Sequence, residues 1–410
     1  MPPGFHLLIA AQFVSALADN ALLIVAIALL QQQGHPLWWA PLLKFNFTIA
    51  YVVLAPFVGP LADAWPKQRV MMAMNALKVV GVAALLAGLN PLAAFVLIGI
   101  GAAAYAPAKY GLVTEMVPPR QLVAANGWIE VSTVCAILLG AVLGGLLVSP
   151  WTAAWAGAFA QRHWPGQGAL QVAAALLLGA YALAALLNLG IPGSGARYRR
   201  AHRAPLALWR AFWRAQRRLW ADAEGGLSMA VTTLFWGVAA VLQFAVLRWA
   251  GESLGLPLDQ AAYLQAVVAV GIVGGAALAA RHVALAAAAR VLPLGVLMGA
   301  LVPLVAVVDS WPAALPLLAG VGALGGALVV PLNALLQHRG HVLLSAGRSI
   351  AVQNFNENLS VLLMLAAYAG LLKAGVDVRS LMAGLGLMVA AAVGALLWRE
   401  RAVALRRAGA

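Results

Sequence analysis

Several side chains in this sequence carry charge where a charge is hardest to keep. Asp19, Lys78, Lys109, Glu130 and Glu357 each fall well inside a long apolar run. An ionised group at the centre of a membrane-spanning helix costs roughly 2.5–3.5 kcal/mol on insertion scales, so it is rarely retained without a partner or a task. Lys109 and Glu130 stand at matched depth on either side of the Pro118-Pro119 turn, about 14 Å from the inner surface at the helical rise. Such a pair can close on itself when empty and open when a phosphate competes for the lysine. Glu357 has no lysine at the repeat-equivalent position and suits an ammonium group. Asn333 and Asn354 could add neutral donors and acceptors, and Tyr105 a hydroxyl donor. Asp19 and Asn20 lie roughly 20 Å along the first run, with Gln243 at comparable depth in the seventh. Lys44 can snorkel to the outer surface, and Lys78 is expected chiefly to satisfy a neighbouring helix.

The elements that must hold these groups are membrane helices. The 410 residues are 64% hydrophobic and 9% charged, against about 25% charged in a soluble domain. The fold class is therefore all-α and integral to a membrane. Twelve spans are expected near 5–30, 38–62, 70–89, 92–116, 121–148, 168–191, 227–250, 258–280, 288–309, 312–336, 348–373 and 378–398. Turn residues separate them, as at Gly34-His35-Pro36 and Asn90-Pro91. Trp151, Trp155, Trp164 and Pro165 mark 149–167 as an outer-surface stretch. The first run has no Lys or Arg before it and is too long for a signal peptide, so it reads as a retained helix.

Net charge is +14, which invites a nucleic-acid reading, but the basic residues fall into alternate loops. Of the 26 Lys and Arg, only Arg162, Arg248, Lys373 and Arg379 fall on the opposite side, and Lys44, Lys78 and Lys109 lie inside spans. That bias puts both termini in the cytoplasm and gives no nucleic-acid partner. Residues 192–226 form a basic linker, with arginines from Arg197 to Arg218 interleaved with Trp, Phe and Leu, and read as an amphipathic helix on the inner leaflet. The single cysteine, Cys135, precludes an intrachain disulfide and a cysteine-based metal cluster. No metal, cofactor or nucleophile–base constellation is expected, and no His stands five positions before an Asp, so an acyltransferase signature is missing.

The chain repeats itself. Pro107 and Pro331 stand 224 residues apart, Glu130 and Glu357 stand 227 apart, and Asn333 occupies the position of Lys109. The expected organisation is an N-terminal six-helix half (1–191), the linker (192–226), a C-terminal six-helix half (227–398) and a cytoplasmic tail (399–410). Parallel six-helix repeats point to the major facilitator architecture. The loop Gly59-Pro60-Leu61-Ala62-Asp63-Ala64-Trp65-Pro66-Lys67-Gln68-Arg69 resembles the G-x-L-A-D-x-x-G-R-R/K signature of that superfamily, with Pro66 and Gln68 as departures. The resemblance implies a gating role for Gly59, Asp63, Lys67 and Arg69.

Longer stretches narrow the resemblance. Gln12 to Leu23, Ala55 to Gly59, Gly101 to Gly111, Leu234 to Gly237, Val330 to Gln337 and Ile350 to Asn354 are similar to the bacterial lysophospholipid transporter (LplT) family, nearly end to end. The resemblance implies movement of lysophospholipids such as lysophosphatidylethanolamine from the outer to the inner leaflet of a bacterial inner membrane. A linked acyltransferase/acyl-ACP synthetase then restores the second chain. Read with the residues above, the expectation is a monomeric carrier with a headgroup site between the halves, lined by Asp19, Asn20, Tyr105, Lys109, Glu130, Gln243, Asn333, Asn354 and Glu357. The family places a basic residue where Gln243 stands, so Asp19 either finds another donor, Gln243 itself being one option, or is protonated for part of the cycle. The rival reading is a proton-coupled exporter of amphiphilic drugs, which would also use carboxylates within the membrane.

Overall fold

A computed structural model describes residues 1–35, 39–164, 168–196, 198, 204–256 and 258–408. Pro36, Pro165, Arg197, Arg199, Arg200 and Arg203, named above, lie outside them. The described chain is helical: α1 (Pro3–Gln32), α2 (Ala40–Val53), α3 (Ala55–Ala64), α4 (Lys67–Leu86), α5 (Pro91–Met116), α6 (Leu122–Val148), α7 (Pro150–His163), α8 (Ala169–Leu189), α9 (Pro205–Ala221), α10 (Ala223–Leu254), α11 (Leu258–His282), α12 (Leu292–Val307), α13 (Trp311–Leu343), α14 (Ala346–Lys373) and α15 (Val378–Ala408). Eleven helices are long and apolar enough to cross a membrane, and α2 with α3 makes a twelfth if the bent pair is one span.

That bent pair corrects one expectation. The second span is broken by 66° between Val53 and Ala55. Pro56 lies in the first turn of α3, where it has no N–H to offer the preceding turn and disfavours helical geometry in the residue before it. Three other boundaries also differ. The stretch after α6, expected as an outer-surface segment, folds into α7, opened by Pro150 and capped by Ser149, whose hydroxyl accepts from the Thr152 amide. The seventh span starts at Ala223 because Asp222 caps it, accepting from the Gly225 amide at 2.9 Å. The last span ends at Glu400, close to the expected 398, but its helix continues to Ala408. The amphipathic helix expected in the linker is α9.

The chain forms two compact units. Unit 1 comprises Met1–Pro118, Ser132–Gln216 and Gly340–Phe355; unit 2 comprises Pro119–Val131, Arg217–Arg339 and Asn356–Ala410. Unlike a cut at the linker alone, this division gives the first turns of α6 to unit 2 and the first turns of α14 to unit 1. In unit 1, α1, α4, α5 and α8 pack around Leu22, Val25, Leu43, Ile98, Leu177 and Tyr181, all fully buried. Helix α6 closes on α1 through Gly140 and Gly144, where an added methyl would meet the Leu17 and Ala21 carbonyl oxygens at 2.6 and 2.8 Å. In unit 2, Gly271 and Gly275 of α11 face Gly322 and Gly326 of α13 in the same four-residue spacing. Lipid offers no hydrophobic drive between helices, so small residues that let backbones touch supply the packing.

Candidate functional site

Unit 1 answers what stabilises Asp19. Lys78 of α4 donates to both carboxylate oxygens, Oδ1 at 2.9 Å and Oδ2 at 2.8 Å, and Tyr181 of α8 donates to Oδ1 at 2.7 Å. The same ammonium donates to the Ser15 hydroxyl at 3.1 Å, and Ser15 donates to the Asn75 carbonyl at 2.9 Å. Lys78 is 2% exposed and the Asp19 side chain 18%, so this is an ion pair within the apolar interior rather than a surface contact. Gly101 of α5 makes the space, since a methyl there would press on the Lys78 stem at 3.0 Å. The Tyr105 and Tyr181 rings stand 5.8 and 5.5 Å from the ammonium. The Tyr105 hydroxyl is buried beside the Asn188 amide, and neither completes a well-formed hydrogen bond.

The donor for Asp19 is thus Lys78 rather than Gln243, and Lys78 satisfies a neighbouring helix, as expected, through the Asp19 carboxylate. Gln243 is exposed on α10, where its backbone carbonyl accepts from Gln265 at 2.7 Å. Asn20 bonds back to the Ala16 carbonyl of its own helix at 2.8 Å.

A second polar group surrounds Lys109. Its ammonium donates to the Gln12 carbonyl at 2.6 Å and lies 4.1 Å from the Tyr110 ring centre. Gln12, 3% exposed, turns its amide to Thr133 at 2.9 Å and Ser132 at 3.4 Å. Gln12, Ser15 and Asp19 are spaced three and four apart, which puts them on one face of α1. A polar seam of roughly 10 Å therefore runs along α1 from the Lys109 group to the Lys78 group. Gln12, Ser15, Asn75 and Lys78 were not picked out as a group from sequence. The usable signal was their helical spacing, 12-15-19 on one helix and 75-78 on another.

The loop between α3 and α4 makes a third group. Asp63 accepts from the Gly347 amide at 2.9 Å and from the Ser345 hydroxyl, both at the start of α14. A carboxylate there suits the positive end of the helix dipole. Gly59 permits the approach, because a methyl would meet the Arg348 Cα at 2.9 Å. Lys67 lies 3.4 Å from Asp63 and 2.7 Å from Glu115, and it is 4% exposed. Glu115 also accepts from Tyr198 at 2.7 Å and from Ser194. Burial and the Glu115 carboxylate push the Tyr198 phenol above its ordinary range. Arg69 is exposed.

In unit 2, Glu130, Asn333 and Glu357 are buried on α6, α13 and α14, and Asn126 and Gln337 exchange two amide bonds of 2.9 Å. Asn354 is buried on the unit 1 part of α14.

The sequence profile of the Major Facilitator Superfamily matches residues 8–365. The Lysophospholipid transporter LplT of Yersinia pestis (strain Pestoides F) is 45% identical over 370 residues, covering 90% of this chain and 86% of that one. The LplT of Yersinia pseudotuberculosis serotype O:3 (strain YPIII) gives the same figures. The chain belongs to the LplT family of the Major Facilitator Superfamily. Members of this superfamily are transporters rather than enzymes, and the chain is multi-pass, as its helices require. Solved structures agree on the fold alone. The FucP transporter in the outward conformation superimposes with a TM-score of 0.74 at 16% identity, covering 96% of this chain and 98% of that one. The human organic anion transporter MFSD10 gives 0.72 at 15%, covering 96% and 100%.

Proposed function

We propose that this transporter carries lysophospholipids, lysophosphatidylethanolamine among them, from the outer to the inner leaflet of a bacterial inner membrane for reacylation by a linked acyltransferase/acyl-ACP synthetase. In this reading it works by alternating access, as a monomer, with both termini cytoplasmic. The observation that carries the reading is the 45% identity, over 90% of the chain, to transporters named for that substrate. Physical chemistry supports it. Each CH2 kept in lipid contributes about 0.8 kcal/mol, so the acyl chain has no reason to leave the bilayer and only the head needs a route. The seam along α1, with Lys109 at one end and Lys78 at the other, is a line of polar groups that suits such a route.

In the proposed cycle the phosphate binds Lys109 in place of the Glu130 carboxylate. Glu357 receives the headgroup ammonium, and Asn333, Asn354, Asn20, Gln243 and Tyr105 contact the glycerol and phosphate oxygens. Asp63 with Gly59, Lys67 and Arg69 acts in gating. Leaflet-resolved transport of fluorescent lysophosphatidylethanolamine in reconstituted vesicles tests this. Uptake that survives collapse of the proton gradient and falls at least tenfold in Lys109→Gln is expected. Absence of lipid movement, with gradient-dependent drug efflux instead, would replace this reading with that of an exporter.

A further inference from the structure

Helix α9 buries one face and leaves two others open. Phe212, Ala215 and Leu219 are buried. Phe212 and Trp213 lie 5.2 and 5.8 Å, centre to centre, from the Phe355 ring in the third turn of α14. In the last turn, Trp220 donates its indole N–H to Asn356 at 3.3 Å. A second face, with Leu206, Trp209, Trp213 and Trp220 within about 60° of one another, remains exposed. Beside it runs a strip of exposed arginines: Arg210, Arg214, Arg217 and Arg218. Residues 205–221 contain no acidic side chain, and the carboxylate that follows, Asp222, is taken by Arg339 at 2.6 Å.

A tryptophan face with a cationic flank fits the boundary between acyl chains and headgroups. The absence of acids from the helix fits a surface that is itself negative. We propose that α9 binds anionic lipid: its tryptophans sit at the acyl boundary and its arginines take the phosphates of an anionic leaflet. Its seat on Phe355 and Asn356 puts that contact next to Asn354 and Glu357 in sequence. The proposal does not depend on which substrate is carried.

The test uses the full chain with Cys135→Ser and Leu206→Cys, labelled at 206 with an environment-sensitive fluorophore, in nanodiscs of phosphatidylcholine with or without phosphatidylglycerol. Quenching by brominated acyl chains is expected to rise with phosphatidylglycerol and to fall in high salt. Arg214→Gln with Arg218→Gln should weaken phosphatidylglycerol association roughly thirtyfold, at about fivefold per arginine. Equal, salt-insensitive quenching in both lipids would mean apolar docking without charge reading and would overturn the proposal. So would no quenching in either lipid, because a protein surface or a second copy then covers the face. The lipid and salt arms keep all four arginines, so they decide the matter even if the double variant folds poorly.

Discussion

Replacing Lys78 with Met removes a cation while nearly keeping the volume of its stem. At 2.8 Å and an effective dielectric of about 20, the direct attraction to Asp19 is roughly 6 kcal/mol before desolvation is subtracted. Removing one partner of a buried pair costs about 3–5 kcal/mol, because the other charge is left in apolar surroundings. Asp19 keeps its Tyr181 bond and some exposure, which favours the lower end, about 3 kcal/mol. The second substitution, Asp19→Asn, should recover most of that loss, since a neutral pair carries no stranded charge. Unfolding in mixed micelles, run as a double-mutant cycle over the wild type, both singles and the double, measures the coupling directly. If Lys78→Met changes stability by less than 1 kcal/mol, or if the double is no more stable than that single, then the pair does not satisfy Asp19. A second test of the same idea is Tyr181→Phe, which should cost about 1.5–3 kcal/mol, the usual range for a hydrogen bond to a charged group.

Two further outcomes are expected. Gly275→Ala should disrupt the packing of α11 on α13, because its methyl would fall 1.8 Å from the Ala323 carbonyl oxygen; Gly274→Ala, with nothing within 4 Å, should be neutral or stabilising by up to about 1 kcal/mol, and detergent melts of the two neighbours compare them directly. The Arg339 guanidinium holds the Asp222 carboxyl below its ordinary range. A lowered native pKa means that the stabilisation is fully present above the unfolded value of about 3.9 and disappears as pH falls through the lower native value; melts of wild type against Asp222→Asn below pH 3.9 should converge.

The number and apolarity of the spans could be read from the sequence because each is long and nearly uncharged, and in lipid a helix must satisfy its own backbone. The break at Leu54 was legible in principle from Pro56, but an apolar run of continuous hydrophobicity concealed it. Helix α7 was hidden because its Trp and small residues look like an interfacial loop, although Ser149-Pro150 is a good helix opening. The charged residues of the site were visible one at a time. Their grouping was not, because a partner on another helix leaves no local trace. The choice of a donor for Asp19 leaned on depth along the span, and Lys78 was set aside as a packing residue. Depth orders groups along a helix but does not say which face meets which neighbour. The spacing 12-15-19 carries that facial information.

The grouping also changes what Asp19 can do. Asp19, Lys78, Tyr181 and Ser15 all belong to unit 1, so their bonds do not depend on where unit 2 stands. A carboxylate satisfied in this way needs no donor on α10 and is poorly suited to act as a gate that opens by breaking an ion pair. It is better suited to hold Lys78 in place and to leave the buried pair without a net charge. Asp63 is tied differently. Its acceptor oxygens sit on the first backbone amide and hydroxyl of α14, the helix that also carries Asn354 and Glu357. A movement of α14 must therefore loosen Asp63 or carry α3 with it, whereas the Asp19 pair could stay closed throughout.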